Sequence, residues 1–156
     1  MALSKEEMIL KQMTDNIDEP LLIVIDEAIC FSFDSYARGY HAYMNIWNPV
    51  DGEILVCTRE TDNSHDTYAV SIMRNSYVVG HAPWSLSKAF SNFLSLPGST
   101  ILCTVTGKKV NRGAGLGLEI PVTYQARGHV KALKWLEQVT KKILSHATDL
   151  SIKFQT

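Results

Sequence analysis

Between two apolar, strand-like segments lies the polar stretch Arg59-Glu60-Thr61-Asp62-Asn63-Ser64-His65-Asp66-Thr67-Tyr68, which sets an amide, an imidazole and a carboxylate within four residues at Asn63, His65 and Asp66. The next apolar segment ends on Gly80-His81, with Trp84 close behind. An amide both donates and accepts, an ionised carboxylate only accepts, and an imidazole does either according to its tautomer. Held in a loop between rigid strands, such a set is suited to hydrogen bonding a polar ligand. His65 beside Asp66 also has the look of a base with its orienting carboxylate. No GxSxG elbow accompanies the pair, however, and none of Cys30, Cys57 and Cys103 carries a nucleophile motif. His41, His65, His81, His129 and His146 show neither HExxH nor paired cysteine ligands, so no metal site is expected. Gly113-Ala114-Gly115-Leu116-Gly117 lacks the GxGxxG spacing and runs into strand-like residues, so no helix N-terminus would face a phosphate there. The chemistry indicated is binding without turnover and without a cofactor.

The elements that must position these groups read as follows. Ser4 and Glu7 fit a helix capping box, continued by Met8, Ile9 and Met13. Residues 21–25, 28–33 and 40–47 read as strands, the last from alternation of His41, Tyr43, Asn45 and Trp47 with Ala42, Met44 and Ile46. Asn48-Pro49-Val50-Asp51-Gly52 is a turn, and residues 54–59, 68–73 and 77–80 form an antiparallel meander around the polar stretch. Leu86, Ala89, Phe90, Phe93 and Leu94 then trace one face of a helix that Pro83 starts and Pro97-Gly98 stops. Residues 100–106 and 116–124 return to strands across the loop 107–115. A last helix over residues 130–145 places Leu133, Leu136, Val139, Ile143 and Leu144 on one face and Lys131, Lys134, Lys141 and Lys142 on the other. Short strands, Gly-rich connections and no βαβ rhythm predict a mainly β protein, a small OB-like, partly open antiparallel barrel with two or three peripheral helices.

With 156 residues, 46% of them hydrophobic, the chain can bury one core. The three widely spaced cysteines read as buried thiols of a reducing compartment. The longest apolar run, residues 21–25, is far too short to cross a bilayer, and the opening residues are polar and acidic, unlike a signal peptide. An intracellular, including nuclear, setting without membrane contact is expected. The net charge of −1 hides an asymmetry: residues 1–66 carry four Lys/Arg against thirteen Asp/Glu, whereas residues 67–156 carry eleven against three. The basic half could face a polyanion, but the acidic half would repel a long duplex, so any nucleic-acid footprint is expected to be small.

The order strand, Arg59-Glu60-x-x-Asn63-x-His65-Asp66-x-x-Ala69-Val70, strand, Gly80-His81, helix resembles the HIRAN domain, a module attached to DNA-remodelling helicases and also found alone. The resemblance covers about residues 38–124 and suggests three segments: an extension over 1–36, a barrel core over 37–126 and a packed C-terminal helix over 127–156. It implies an OB-like barrel that holds the 3′ end of single-stranded DNA, with an aspartate on the terminal hydroxyl and aromatics stacking on the last bases. In this chain Asp66 falls on the hydroxyl-reading aspartate, Asn63 on the motif asparagine, His81 on the histidine after the glycine, and Tyr43 on a tyrosine before the turn. His65 replaces the usual aromatic before the aspartate. His41-Ala42 replaces a basic-aromatic pair, and Ala82-Pro83-Trp84 stands where a basic residue follows the histidine.

The expected reading is a non-enzymatic module for a single-stranded DNA end, through Tyr43, Asn63, His65, Asp66, His81 and Trp84. Two structural alternatives stay open: Asp66 as an Asx-type cap of its own loop, and His81 as a buried, hydrogen-bonded histidine. A second functional alternative is a protein-interaction module with a decayed pocket, its partner recruited by the Lys131, Lys134, Lys141 and Lys142 face or by the acidic N-terminal half.

Overall fold

The computed structural model describes Lys5, residues 30–113 and residues 115–145. Apart from Lys5, the expected N-terminal capping box and the strand over residues 21–25 lie outside the described residues. β1 (Phe31–Ala37) is followed by a short 3-10 helix, Tyr40–Ala42. Then come β2 (Ile54–Arg59), β3 (Val70–Arg74), β4 (Tyr77–His81), α1 (Trp84–Leu94), β5 (Thr100–Val105), β6 (Val110–Asn111), β7 (Leu118–Arg127) and α2 (Val130–Ser145). One antiparallel sheet of seven strands runs in the order β1-β7-β5-β2-β3-β4, with β6 paired to β7. The sheet is not closed: β4 returns to the end of β1 through the single bridged pair Arg38 and His81. This is the mainly β, partly open architecture that the strand pattern predicts.

Alternation drives the curl. β1 buries every second residue from Phe31 to Ala37, and Leu55, Cys57, Ile101, Cys103, Val105, Ile120, Val122 and Tyr124 turn inward from their strands. Leu86, Phe90 and Phe93 of α1 plug the inside of the sheet. Phe90 meets Tyr124 edge-to-face at 5.1 Å, and the buried Tyr124 hydroxyl donates to the Tyr36 carbonyl at 2.7 Å. α2 closes the same core with Ala132, Leu133, Leu136 and Leu144. β1 runs unbroken across residues 36 and 37.

Two expectations are corrected. Residues 40–47 are not a strand. Gly39, at φ 79°, turns the chain into the 3-10 helix, and Tyr40 and Trp47 are the buried pair, with ring centroids 5.8 Å apart. Tyr40 and Trp47 are seven residues apart, of opposite parity along a strand, so no strand could send both inward. Cys30 is exposed, because it precedes β1, whereas Cys57 and Cys103 are buried on neighbouring strands.

Candidate nucleic-acid interface

The polar stretch folds into a loop tied at its base, where the Glu60 amide donates to the Ala69 carbonyl at 2.9 Å. Inside it, Asn63 Oδ1 accepts from the amides of His65 (2.9 Å) and Asp66 (3.1 Å), and Asp66 Oδ1 accepts from the Tyr68 amide at 2.9 Å. Side-chain oxygens stand in for backbone acceptors, which is the chemistry of Asx turns. Asn63 and one oxygen of Asp66 therefore scaffold the loop. The Asx-cap alternative for Asp66 is realised at Oδ1, which leaves the second oxygen to account for.

Facing this loop is the end of β4. The pairing of β3 with β4 shifts register between Ile72 and Met73 and skips Val79, so the strand bends just before Gly80-His81. There Arg38 and His81 exchange two backbone hydrogen bonds of 2.9 Å. A Cβ on Gly80 would stand 3.1 Å from the Arg38 carbonyl oxygen, so glycine permits this approach of β4 to β1. Residues directly opposed in an antiparallel pair project from the same face. Ser71 opposes His81 and His81 opposes Arg38, so the three stand in one row.

His81 is partly buried, and its Nε2 lies 2.8 Å from Glu60 Oε2, an oxygen that also accepts from the Ser71 hydroxyl at 3.1 Å. An ionised carboxylate only accepts, so the hydrogen sits on Nε2, and Nδ1 is left for another partner. The Tyr43 ring packs beside His81, with centroids 6.2 Å apart. Burial, with the Glu60 carboxylate nearby, holds the Tyr43 phenol above its ordinary range.

These elements line a groove of about 430 Å³, which combines Gly39, Ala69, Val70 and Ala82 with the polar Arg38, His41, Asn63, Asp66 and His81. Trp84, 76% exposed on the first turn of α1, stands at its rim, and Gly115 and Leu116 of the β6–β7 connection also line it. Of the residues expected to meet nucleic acid, Asn63, Asp66, His81 and Trp84 come together here. Tyr43 touches the site through His81, and His65 is exposed on the loop without lining the groove.

The pattern of residue types did not single out Arg38, Glu60 or Leu116. Only Glu60, inside the polar stretch, carried a local signal. Lys134, Lys141 and Lys142 are exposed on α2, and Lys141 pairs with Glu137 at 2.7 Å. Among the described residues, no His/Cys/Asp/Glu cluster could hold a metal ion, and no helix is long and apolar enough to cross a membrane.

A half-open antiparallel barrel with a polar groove at its seam and an aromatic at the rim is the framework of a small binding module. The chain belongs to the HIRAN domain family, which it matches over residues 30–125. Its fold is similar to the crystal structure of the HIRAN domain of human HLTF, with a TM-score of 0.56 at 20% identity over 75% of this chain and 94% of that one. It is also similar to the NMR structure of the HLTF HIRAN domain in its DNA-bound conformation, with a TM-score of 0.53 at 20% identity over 72% of this chain and 88% of that one. A further NMR structure of that domain gives a TM-score of 0.56 at 19% identity, covering 78% and 89%. At such identities the likeness is one of fold. None of the curated proteins compared with the chain matches it significantly.

Proposed function

We propose that this chain is a non-enzymatic DNA-binding module that takes the 3′ end of a single strand into the groove between the 60–69 loop and the β1–β4 seam. Family membership and the DNA-bound HLTF HIRAN domain support the ligand class. The observation that carries the reading is the division of labour at Asp66. Its Oδ1 is held by the Tyr68 amide, while Oδ2 has no hydrogen-bond partner among the described residues. A carboxylate oxygen so placed accepts a hydrogen bond from a free hydroxyl and repels a phosphate, so it reads a strand end by charge. Trp84 offers a face for a base. Stacking contributes about 1–3 kcal/mol per base and the charge-assisted hydrogen bond about 1.5–3 kcal/mol. For one stacked base these total at most about 6 kcal/mol, so before ordering costs the affinity is no tighter than tens of micromolar, and each further stacked base adds its own share.

The test is an anisotropy titration of one labelled single strand bearing either a 3′ hydroxyl or a 3′ phosphate. The hydroxyl-ended strand should bind at least about tenfold more tightly, a difference of about 1.4 kcal/mol. Equal affinities would refute reading of the end, and absence of binding to both would refute DNA as the ligand.

A further inference from the structure

We propose that the start of β4 is a docking site for a segment of another protein: an extended peptide that pairs with the open side of the strand and carries an apolar side chain with a carboxylate two residues away. The site shares no residue with the DNA groove and stands independently of the DNA-end reading. β4 is last in the sheet order, and among the described residues the only bridge on its outer side joins His81, at its far end, to Arg38. Tyr77, Val78 and Val79 therefore border no further strand there. An edge with unpaired backbone groups is a template for an added strand, whose side chains then choose the partner.

Beside that edge lies a cavity of about 380 Å³, lined by Ile46, Arg74, Asn75, Tyr77 and Val79. Its volume falls within the range of binding clefts. Val79 belongs to the buried core, whereas Ile46 and Tyr77 are 56% and 66% exposed. Large apolar side chains left open around one cavity gain free energy from a partner that covers them. The charge at this cavity fixes the partner's polar group. Arg74 is the one charged residue in the lining, and its side chain is 53% exposed. Its Nε stands 3.2 Å from Glu53 Oε2, and beyond that ion pair its guanidinium has no partner among the described residues. Glu53 is mostly covered, and its Oε1 accepts from Trp47 Nε1 at 3.1 Å and from the Val50 amide at 3.2 Å. With five N–H donors beside one occupied carboxylate, Arg74 has donors to spare, and their fork fits a second carboxylate. Residues two apart on an extended chain share a face, so one strand can send an apolar side chain toward Val79 and a carboxylate to Arg74.

The experiment titrates the isotopically labelled chain with an end-blocked pentapeptide, aspartate-threonine-leucine-threonine-aspartate, which offers a carboxylate two residues to either side of the leucine. Amide NMR signals of residues 44–47 and 74–79 should shift together and saturate while those of the 60–69 loop hold still, with nuclear Overhauser contacts from the peptide backbone to that of residues 77–79. Arg74→Gln should weaken the peptide about tenfold, the scale of a lost charge-assisted hydrogen bond. Replacing both peptide aspartates with asparagine should cost the wild type a similar factor and Arg74→Gln little more. Ile46→Ser should weaken it about fivefold by removing an apolar wall. Melting temperatures of both variants should stay near the wild type, because both side chains are more than half exposed. Absence of saturable shifts at residues 44–47 and 74–79, or shifts centred on the DNA groove, would overturn the site. Saturable shifts without the backbone contacts would overturn strand addition, and equal wild-type affinity for the aspartate and asparagine peptides would overturn the carboxylate as the partner's polar group.

Discussion

At Asp66 the fold and the ligand make separable demands, and Asp66→Asn separates them. The variant keeps an oxygen for the Tyr68 amide, which the native Oδ1 meets at 2.9 Å, and asparagine suits an Asx turn as well as aspartate does. Its melting temperature should therefore match the wild type. What it loses is charge. On a hydroxyl-ended strand, a charge-assisted bond of about 1.5–3 kcal/mol becomes a neutral one of about 0.5–1.5 kcal/mol, a loss near 1 kcal/mol or about fivefold. On a phosphate-ended strand the sign reverses. Like charges about 4 Å apart repel by about 1 kcal/mol in bulk water and about 4 kcal/mol at a surface dielectric near 20, so removing one should tighten binding. Both shifts shrink the preference, which should fall to near unity. Asp66→Ala removes the cap as well. It should cost about 0.5–2 kcal/mol of stability in addition to the full 1.5–3 kcal/mol on the hydroxyl-ended strand. Anisotropy titrations of both strands against the three proteins, with thermal melts alongside, measure every quantity. An Asp66→Asn protein that keeps the wild-type preference would refute the carboxylate as the reader of the end. An Asp66→Ala protein weakened equally on both strands would leave Asp66 as a loop cap alone.

The remaining predictions concern the frame around the groove. Gly80→Ala sets a Cβ 3.1 Å from the Arg38 carbonyl, which is backbone and yields little, so urea denaturation should show a loss of about 1–3 kcal/mol; wild-type stability would mean the β1–β4 seam is loose. Burial pushes the Cys103 thiol well above 9.0, helped by its contact with Cys57, and the Tyr124 phenol well above 10.0. The folded state therefore holds these protons more tightly than the unfolded chain, so their contribution is intact at neutral pH. It should fade as pH climbs beyond about 9, seen as a falling urea midpoint, and a midpoint flat to about pH 11 would contradict the burial of these groups. Changing Lys131, Lys134, Lys141 and Lys142 together to Glu should alter DNA affinity by less than about threefold at physiological salt, where charges beyond about 8 Å are screened, because α2 contributes no groove residue. A larger loss would extend the DNA footprint onto α2.

The sequence alone was enough for most of the elements. Periodicity placed α2 at Val130–Ser145, Pro83 and Pro97-Gly98 bracketed α1 at Trp84–Leu94, and alternation located β2 through β5 to within two residues. These signals are local, because a helix or strand shows which face it buries through its own residue spacing. The Asx-forming loop was equally legible, since Asn63 and Asp66 find their backbone partners two or three residues away. Residues 40–47 misled because a short run of mixed large and small residues fits a period of two by accident, while the αL turn at Gly39 and the burial of Tyr40 against Trp47 depend on what packs above them. The groove itself came only from tertiary structure. Glu60 meets His81 across 21 residues, Arg38 meets His81 across the barrel seam, and Arg38 and Asp66 come to line one groove. The meeting of Arg38, Ser71 and His81 in one row is decided by strand register and by the bend at Val79. A change of one residue in register moves every side chain to the opposite face, so residue spacing along the chain cannot show which distant partners will share a wall.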